Sequence, residues 1–194
     1  MPDKKNMTAI ILAGGKSSRM KTDKGLIPFG KKTLVGHVIE SINKITDRII
    51  IITQNPAYKK FGYPCYTDVI RDKGALGGIY TGLVHSHSQK NLVVGCDMPF
   101  LSENILIGLI REINDEDVLL TEHKGHAEPL CSIYDKNCST HIRSLLEQNQ
   151  LKITSALAGL KTRVISFDNE VWFAGNEFIN INSIKELKKY DFKN

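Results

Sequence analysis

The chain has 194 residues, 41% of them apolar and 24% charged; this suits one compact domain spanning 1–194, has enough Ile, Leu and Val for a core, and excludes low-complexity disorder. No run reaches the roughly 18 consecutive apolar residues that a membrane helix needs. Lys and Arg number 26 against 21 acids, a net charge of +5, which favours polyanionic ligands without choosing among them, while a single Trp and no aromatic-interleaved basic stripe place nucleic acid last.

In chain order, residues 1–6 run straight into a strand-like segment with no apolar leader of usable length, so the expectation is a cytoplasmic protein without membrane contact. Residues 7–13 form a short continuous apolar run closed by Gly14-Gly15, the pattern of a strand covered on both faces of a parallel sheet. Thr33 caps a helix expected to reach Ile45, with Leu34, Val38, Ile42 and Ile45 on one stripe. The β-branched run 48–53 reads as a second buried strand. Gly74-Ala75-Leu76-Gly77-Gly78 precedes a helical run to Val84, and 92–96 is a further strand. Ser102 begins a helix carrying Ile105, Leu106, Leu109, Ile110 and Ile113. Strands at 118–121, 130–134 and 163–167 and helices at 139–146 and 183–190 complete the chain. Strand and helix in alternation predict an α/β domain, a mostly parallel central sheet with helices on both faces. In such sheets ligands bind outside the carboxyl ends of the strands.

The loop after the first strand is the most informative. Two adjacent glycines let the backbone turn sharply and approach a ligand, and exposed N–H groups there cradle phosphate oxygens. Lys16, Arg19, Lys21 and Lys24 follow. A turn with solvated lysines is the bland alternative; strand, glycines and base cluster together favour a triphosphate. A Walker A loop is excluded, because its first glycine would fall on Ile10, and a G-x-G-x-x-G fingerprint does not fit.

Asp97, in Cys96-Asp97-Met98-Pro99, closes a strand and is placed to hold Mg²⁺, which takes one or two carboxylates and fills its octahedron with phosphate oxygens and water. Ser102 is the better cap for the following helix. The cysteines, Cys65, Cys96, Cys131 and Cys138, make no C-x-x-C pair and read as free thiols. His85-x-His87 and His123-x-x-His126 lack a fixed carboxylate or thiolate companion in sequence and read as surface histidines.

The stretch Leu12-Ala13-Gly14-Gly15-Lys16-Ser17-Ser18-Arg19-Met20-Lys21-Thr22-Asp23-Lys24 resembles the signature L-A-G-G-x-S-x-R-M-G-x-D-K of the molybdenum cofactor guanylyltransferases, nucleotidyltransferases with a Rossmann-like fold. Gly14 points to the guanylyl branch, since cytidylyltransferases of the superfamily carry L-A-A-G. Lys21 departs from the usual glycine. The resemblance implies GTP and a molybdopterin as substrates, Mg²⁺ as cofactor, and molybdoenzymes or other cofactor-biosynthesis proteins as partners.

The same resemblance implies that Leu12, Ala13, Gly14, Gly15, Lys24, Thr53, Asp68 and Asp97 bind the nucleotide, and that Asp97 holds the metal. Arg19, Lys24 and Asp97 would be catalytic. In the loop at 53–55, Thr53 is the first placement for a nucleotide contact and Asn55 the second. Asp68 also reads as an ordinary turn residue. The glycines at 74–78 read equally as close helix–sheet packing. Glu128-Pro129-Leu130 and 178–182 resemble acceptor-side loops. There Asn180 and Asn182 share a face, or belong to a strand edge running into a helix capped by Asn182 or Ser183. The implied reaction joins the pterin's terminal phosphate to the α-phosphorus of GTP and releases pyrophosphate. A CTP- or sugar-phosphate-using relative, and a GTP-binding regulator without turnover, are the alternatives.

Overall fold

The structure is a computed structural model that describes residues 7–14 and 23–191. Its elements are β1 (Met7–Leu12), β2 (Pro28–Phe29), β3 (Lys32–Thr33), α1 (Leu34–Ile42), β4 (Ile49–Ile52), β5 (Cys65–Tyr66), α2 (Gly74–His85), β6 (Lys90–Gly95), α3 (Glu103–Arg111), β7 (Val118–His123), β8 (His126–Ala127), β9 (Cys131–Asp135), α4 (Cys138–Glu147), α5 (Ile153–Leu157), β10 (Thr162–Ser166) and α6 (Ile184–Asp191).

The central sheet has the order β10-β7-β9-β6-β1-β4-β5, with β8 hairpinned onto β7, while β2 and β3 pair antiparallel in a separate two-stranded sheet. β1 pairs in parallel with β4 and β6, β4 with β5, and β10 with β7. β9 runs against both β6 and β7. The strand expected at 130–134 is therefore present but antiparallel, in a sheet whose other long strands all run the same way and in which only the short β8 is also reversed. Apolar runs mark a strand buried on both faces; they carry no sign for its direction.

Alternation within the strands feeds two cores. Ala9, Ile11, Ile49, Ile51, Leu92 and Val94 face α1 and α3. Ile10, Leu12, Ile50, Ile52 and Val93 face α2, α4 and α5. Four consecutive isoleucines in β4 can all be buried because helices cover both faces. Helices on both sides of a mostly parallel sheet are the expected architecture.

Thr33 caps α1, its hydroxyl accepting from Gly36 N at 3.2 Å, but the helix stops at Ile42. Ile45 is still buried beyond the end, packed on the same core. Ser102 caps α3 as expected, accepting from Ile105 N at 3.4 Å. The glycines at 74–78 lie inside α2 rather than before it. A Cβ on Gly82 would sit 2.3 Å from Ile10 Cγ2 and one on Gly78 3.2 Å from Leu12 Cδ2, so small residues let α2 lie close on β1. That is the packing reading of the glycine run. Residues 178–182 form an extended strap rather than a strand, and Ser183 caps α6, accepting from Glu186 N at 3.1 Å.

A third, smaller cluster of Ile27, Phe29, Leu34, Ile181 and Leu187 joins the β2–β3 hairpin, the strap and α6. It fixes the strap beside the carboxyl edge of the sheet. On α6, Leu187 is buried while Lys188 and Lys189 are exposed. The four cysteines are free.

Candidate functional site

Parallel registry brings the ends of β1, β4, β5 and β6 to one edge, with Leu12 level with Ile52 and Gly95, and Ile52 level with Tyr66. The outgoing loops are laced by backbone bonds: Ala13 N to Ile52 O at 2.9 Å, Thr53 N to Tyr66 O at 2.8 Å and Cys96 N to Leu12 O at 3.1 Å. Because β9 runs the other way, the loop that enters it, Glu128-Pro129-Leu130, reaches the same edge. Gly95 N donates to Leu130 O at 3.0 Å.

Lys24 and Asp97 meet on this edge. Lys24 Nζ lies 3.5 Å from Asp97 Oδ2 and donates to Asn182 Oδ1 at 2.7 Å. Two loops 73 positions apart and the strap thus converge on one ammonium group. The Asp97 carbonyl accepts from Ile181 N at 2.9 Å, which ties the strap to the Asp97 loop. Burial raises the Asp97 carboxyl above its ordinary value, against the opposing pull of Lys24. A charge held partly desolvated acts more strongly on a ligand than one in water.

Beside this pair opens a cleft of about 370 Å³ lined by Asp97, Glu128, Pro129, Leu130, Asn180 and Asn182. Asn180 and Asn182 both face it, as their alternation with Ile179 and Ile181 predicted. Glu128 is likewise held above the usual carboxylate range by burial, against His123 and His126.

A second cleft of about 380 Å³ lies beyond β4 and β5, lined by Thr53, Gln54, Asn55, Lys59, Tyr66 and Thr67. Asp68 follows Thr67. Its Oδ1 is buried without a hydrogen-bond partner among the described residues, and its carboxyl is raised by burial and then by the charge of Asp72. A buried acceptor without a donor is costly, and a ligand N–H would relieve it.

The predicted site residues fall into two groups along the edge. Leu12, Ala13, Gly14, Lys24 and Asp97 gather at the ends of β1 and β6, and Thr53 and Asp68 at the ends of β4 and β5. The side chains of Leu12 and Ala13 are buried in the two cores, so only their backbone is left to face a ligand. Gly14 is exposed, and a Cβ there would meet only the Ile52 carbonyl oxygen, at an ordinary contact distance of 3.8 Å. Gly15, Lys16, Arg19 and Lys21 lie outside the described residues.

One sequence reading is corrected, and one residue has a second attachment. Asn55 lines the cleft, and its side chain is also tied to its neighbours. Its Nδ2 donates to Asp23 Oδ2 at 3.1 Å and its Oδ1 accepts from Ala57 N at 3.0 Å. His123 is not a companionless surface histidine. Its Nδ1 lies 2.6 Å from Asp168 Oδ1 and its ring packs on Phe173 and Phe178. The partner is 45 positions away, beyond the reach of any local motif. His126 and His87 are exposed, and His85 stacks on Tyr66 at 3.8 Å. Tyr58, fully buried and bonded to Asp23, was missed, because nothing in its own stretch signals a polar partner.

Among the described residues no three His, Cys, Asp or Glu side chains gather into a metal cluster. The donor set suits a hard cation that keeps most of its shell for substrate: one desolvated carboxylate, Asp97, next to an amide oxygen, Asn182 Oδ1. The ammonium of Lys24 already reaches both oxygens. That fits a Mg²⁺-type site and not a closed protein cage.

A family model described as MobA-like NTP transferase domain matches residues 9–162. A protein of Flavobacterium johnsoniae named "Probable molybdenum cofactor guanylyltransferase" is 39% identical over 184 residues, covering 93% of this chain and 94% of its own. The molybdenum cofactor guanylyltransferase of Vibrio parahaemolyticus is 32% identical over 186 residues, covering 93% of each chain. Among solved structures, molybdopterin-guanine dinucleotide biosynthesis protein A from Archaeoglobus fulgidus superposes with a TM-score of 0.79 at 23% identity, covering 96% of this chain and 97% of that one. At that identity the likeness carries the fold.

Proposed function

The chain belongs to the MobA-like NTP transferase domain family, and from that membership and the geometry of the edge we propose that it transfers GMP from GTP to the terminal phosphate of molybdenum-molybdopterin. A phosphate oxygen of the pterin bonds to the α-phosphorus, the bond between that phosphorus and the bridging oxygen of the β-phosphate breaks, and pyrophosphate leaves. The nucleophile is an anion at neutral pH, so no protein base is required. Catalysis is positioning and charge stabilisation.

The observation that carries this reading is the convergence of Lys24, Asp97 and Asn182 on one point of the carboxyl edge. Lys24 neutralises charge on the triphosphate and the departing pyrophosphate, with Arg19 as its assigned companion. Asp97 would hold Mg²⁺, with the Asn182 amide oxygen next to the carboxylate, and the ion would supply neutralisation of phosphate charge. Gly14 and Gly15 are assigned to the phosphates through their backbone N–H groups. Thr53 and Asp68 bound the nucleoside end, where the unpartnered Asp68 oxygen would accept an N–H from the guanine edge. Glu128, Asn180 and Asn182 wall the acceptor side. Residues 1–194 make one nucleotidyltransferase domain acting in the cytoplasm, with GTP, the pterin and downstream cofactor-handling proteins or molybdoenzymes as partners.

Pyrophosphate release with molybdopterin and Mg²⁺ tests this. GTP is expected to support turnover at least tenfold faster than CTP. Faster turnover with CTP, or with a sugar phosphate as acceptor, would move the chain to another branch. GTP binding without pyrophosphate release from any acceptor would make it a regulator.

A further inference from the structure

Asp23 stands next to Lys24, and both of its carboxylate oxygens are occupied. Tyr58 Oη donates to Oδ1 at 2.5 Å and Asn55 Nδ2 donates to Oδ2 at 3.1 Å. Both donors come from the segment after β4, more than thirty positions along the chain. Asn55 lies at the mouth of the cleft bounded by Thr53 and Thr67, and Tyr58 is completely buried. Burial first, then the neighbouring Cys96 and Asp23, drives the Tyr58 hydroxyl far above its ordinary pKa, so it stays a proton donor.

The other side of the Lys24 turn is equally constrained. Leu26 N donates to Asp23 O at 3.1 Å and Ile27 N to Lys24 O at 3.0 Å. A Cβ on Gly25 would stand 2.4 Å from the Tyr58 hydroxyl oxygen and 3.0 Å from Cys96 Sγ. Gly25 is what lets the turn press against Tyr58 and the residue preceding Asp97. Lys24 is therefore set between a clamped Asp23 and a tightly seated Gly25.

We propose that Tyr58 and Asn55 are positioning residues that act through Asp23 to hold the Lys24 ammonium in reach of Asp97 and Asn182, so that the wall of the Thr53–Thr67 cleft and the charge-neutralising lysine are mechanically one unit. This rests on the assignment of Lys24 to the triphosphate. Neither residue touches substrate; their effect passes through the placement of Nζ. An interaction realised in the transition state lowers kcat when lost, and leaves nucleotide binding largely unchanged.

The test is a double-mutant cycle on the full chain, read by single-turnover pyrophosphate release per mole of folded protein, with GTP binding and thermal melting measured alongside. Tyr58→Phe removes one oxygen and keeps the ring. It is expected to lower kcat about tenfold, with KM for GTP within twofold of the parent. Asn55→Ala is expected to act in the same direction. Added to Lys24→Ala, Tyr58→Phe is expected to cost less than twofold more. A full tenfold further loss in that background would show an independent role and overturn the inference. So would a Tyr58→Phe protein at the parental rate while Lys24→Ala is impaired, with the assigned function intact. Lys24→Ala at the parental rate would overturn the assignment of Lys24 itself, and the inference with it.

Discussion

The two halves of the binding edge are built differently. On one side, β5, β4, β1 and β6 all run the same way, and each contributes the loop that follows it. On the other, β9 is reversed, so the edge receives the loop that enters a strand, and the wall is finished by a strap from near the end of the chain. In the first half the strand ends and the loops leaving them are laced by backbone bonds, and the Lys24–Asp97 ion pair lies across them. The second adds side-chain links to its backbone bonds: Lys24 on Asn182, and His123 on Asp168. A half made of consecutive strand–loop units is specified locally. A half completed by a late segment depends on the whole fold being in place.

Breaking the first half should have the largest effect. Lys24→Ala and Asp97→Ala are each expected to lower pyrophosphate release by at least about 10²-fold, the usual cost of losing a preorganised charge contact. Circular dichroism should show both proteins folded. A variant retaining near-parental turnover would remove that residue from the chemistry.

Breaking the second half should shift acceptor handling instead. Asn180→Ala is expected to raise KM for the pterin about tenfold while KM for GTP stays within twofold, a split that steady-state kinetics with each substrate varied would resolve. Equal changes in both constants would erase the distinction between the halves.

Ser102→Ala probes the scaffold that both share. It removes the α3 cap at a cost of about 0.5–2 kcal/mol. A lower melting temperature with unchanged kcat is expected, and a loss of kcat would tie α3 to the site.

The smallest effect concerns pH. His123 and then Lys124 N hydrogen-bond the Asp168 carboxylate and hold it below its ordinary value of 3.8. A carboxyl lowered in the folded state stabilises in full above its unfolded pKa, and that stabilisation is lost as pH falls through the folded value. Asp168→Asn should therefore lower the melting temperature slightly near neutral pH and flatten its decline below about pH 4. Parallel melting curves across that range would deny the pair a role.

What the sequence determined is what short spans of chain can encode. The all-apolar runs at β1 and β4 and the caps at Thr33 and Ser102 were legible, because a strand buried on both faces and a helix start are each set by residues a few positions apart; the positions of Gly14, Lys24 and Asp97 after β1 and β6 followed from the same strands. The alternation of Asn180 and Asn182 was legible for the same reason. Only the tertiary structure decided the direction of β9, since hydrophobicity has no polarity along the chain. It alone moved the glycines of 74–78 into α2, where Gly78, with Gly82 a turn later, meets β1 closely enough to reward the absence of a side chain. It also gave His123 its aspartate, turned Asn55 onto Asp23 and set the Tyr58 hydroxyl against Asp23. These contacts join residues tens of positions apart, and their partners become neighbours only when the sheet has formed.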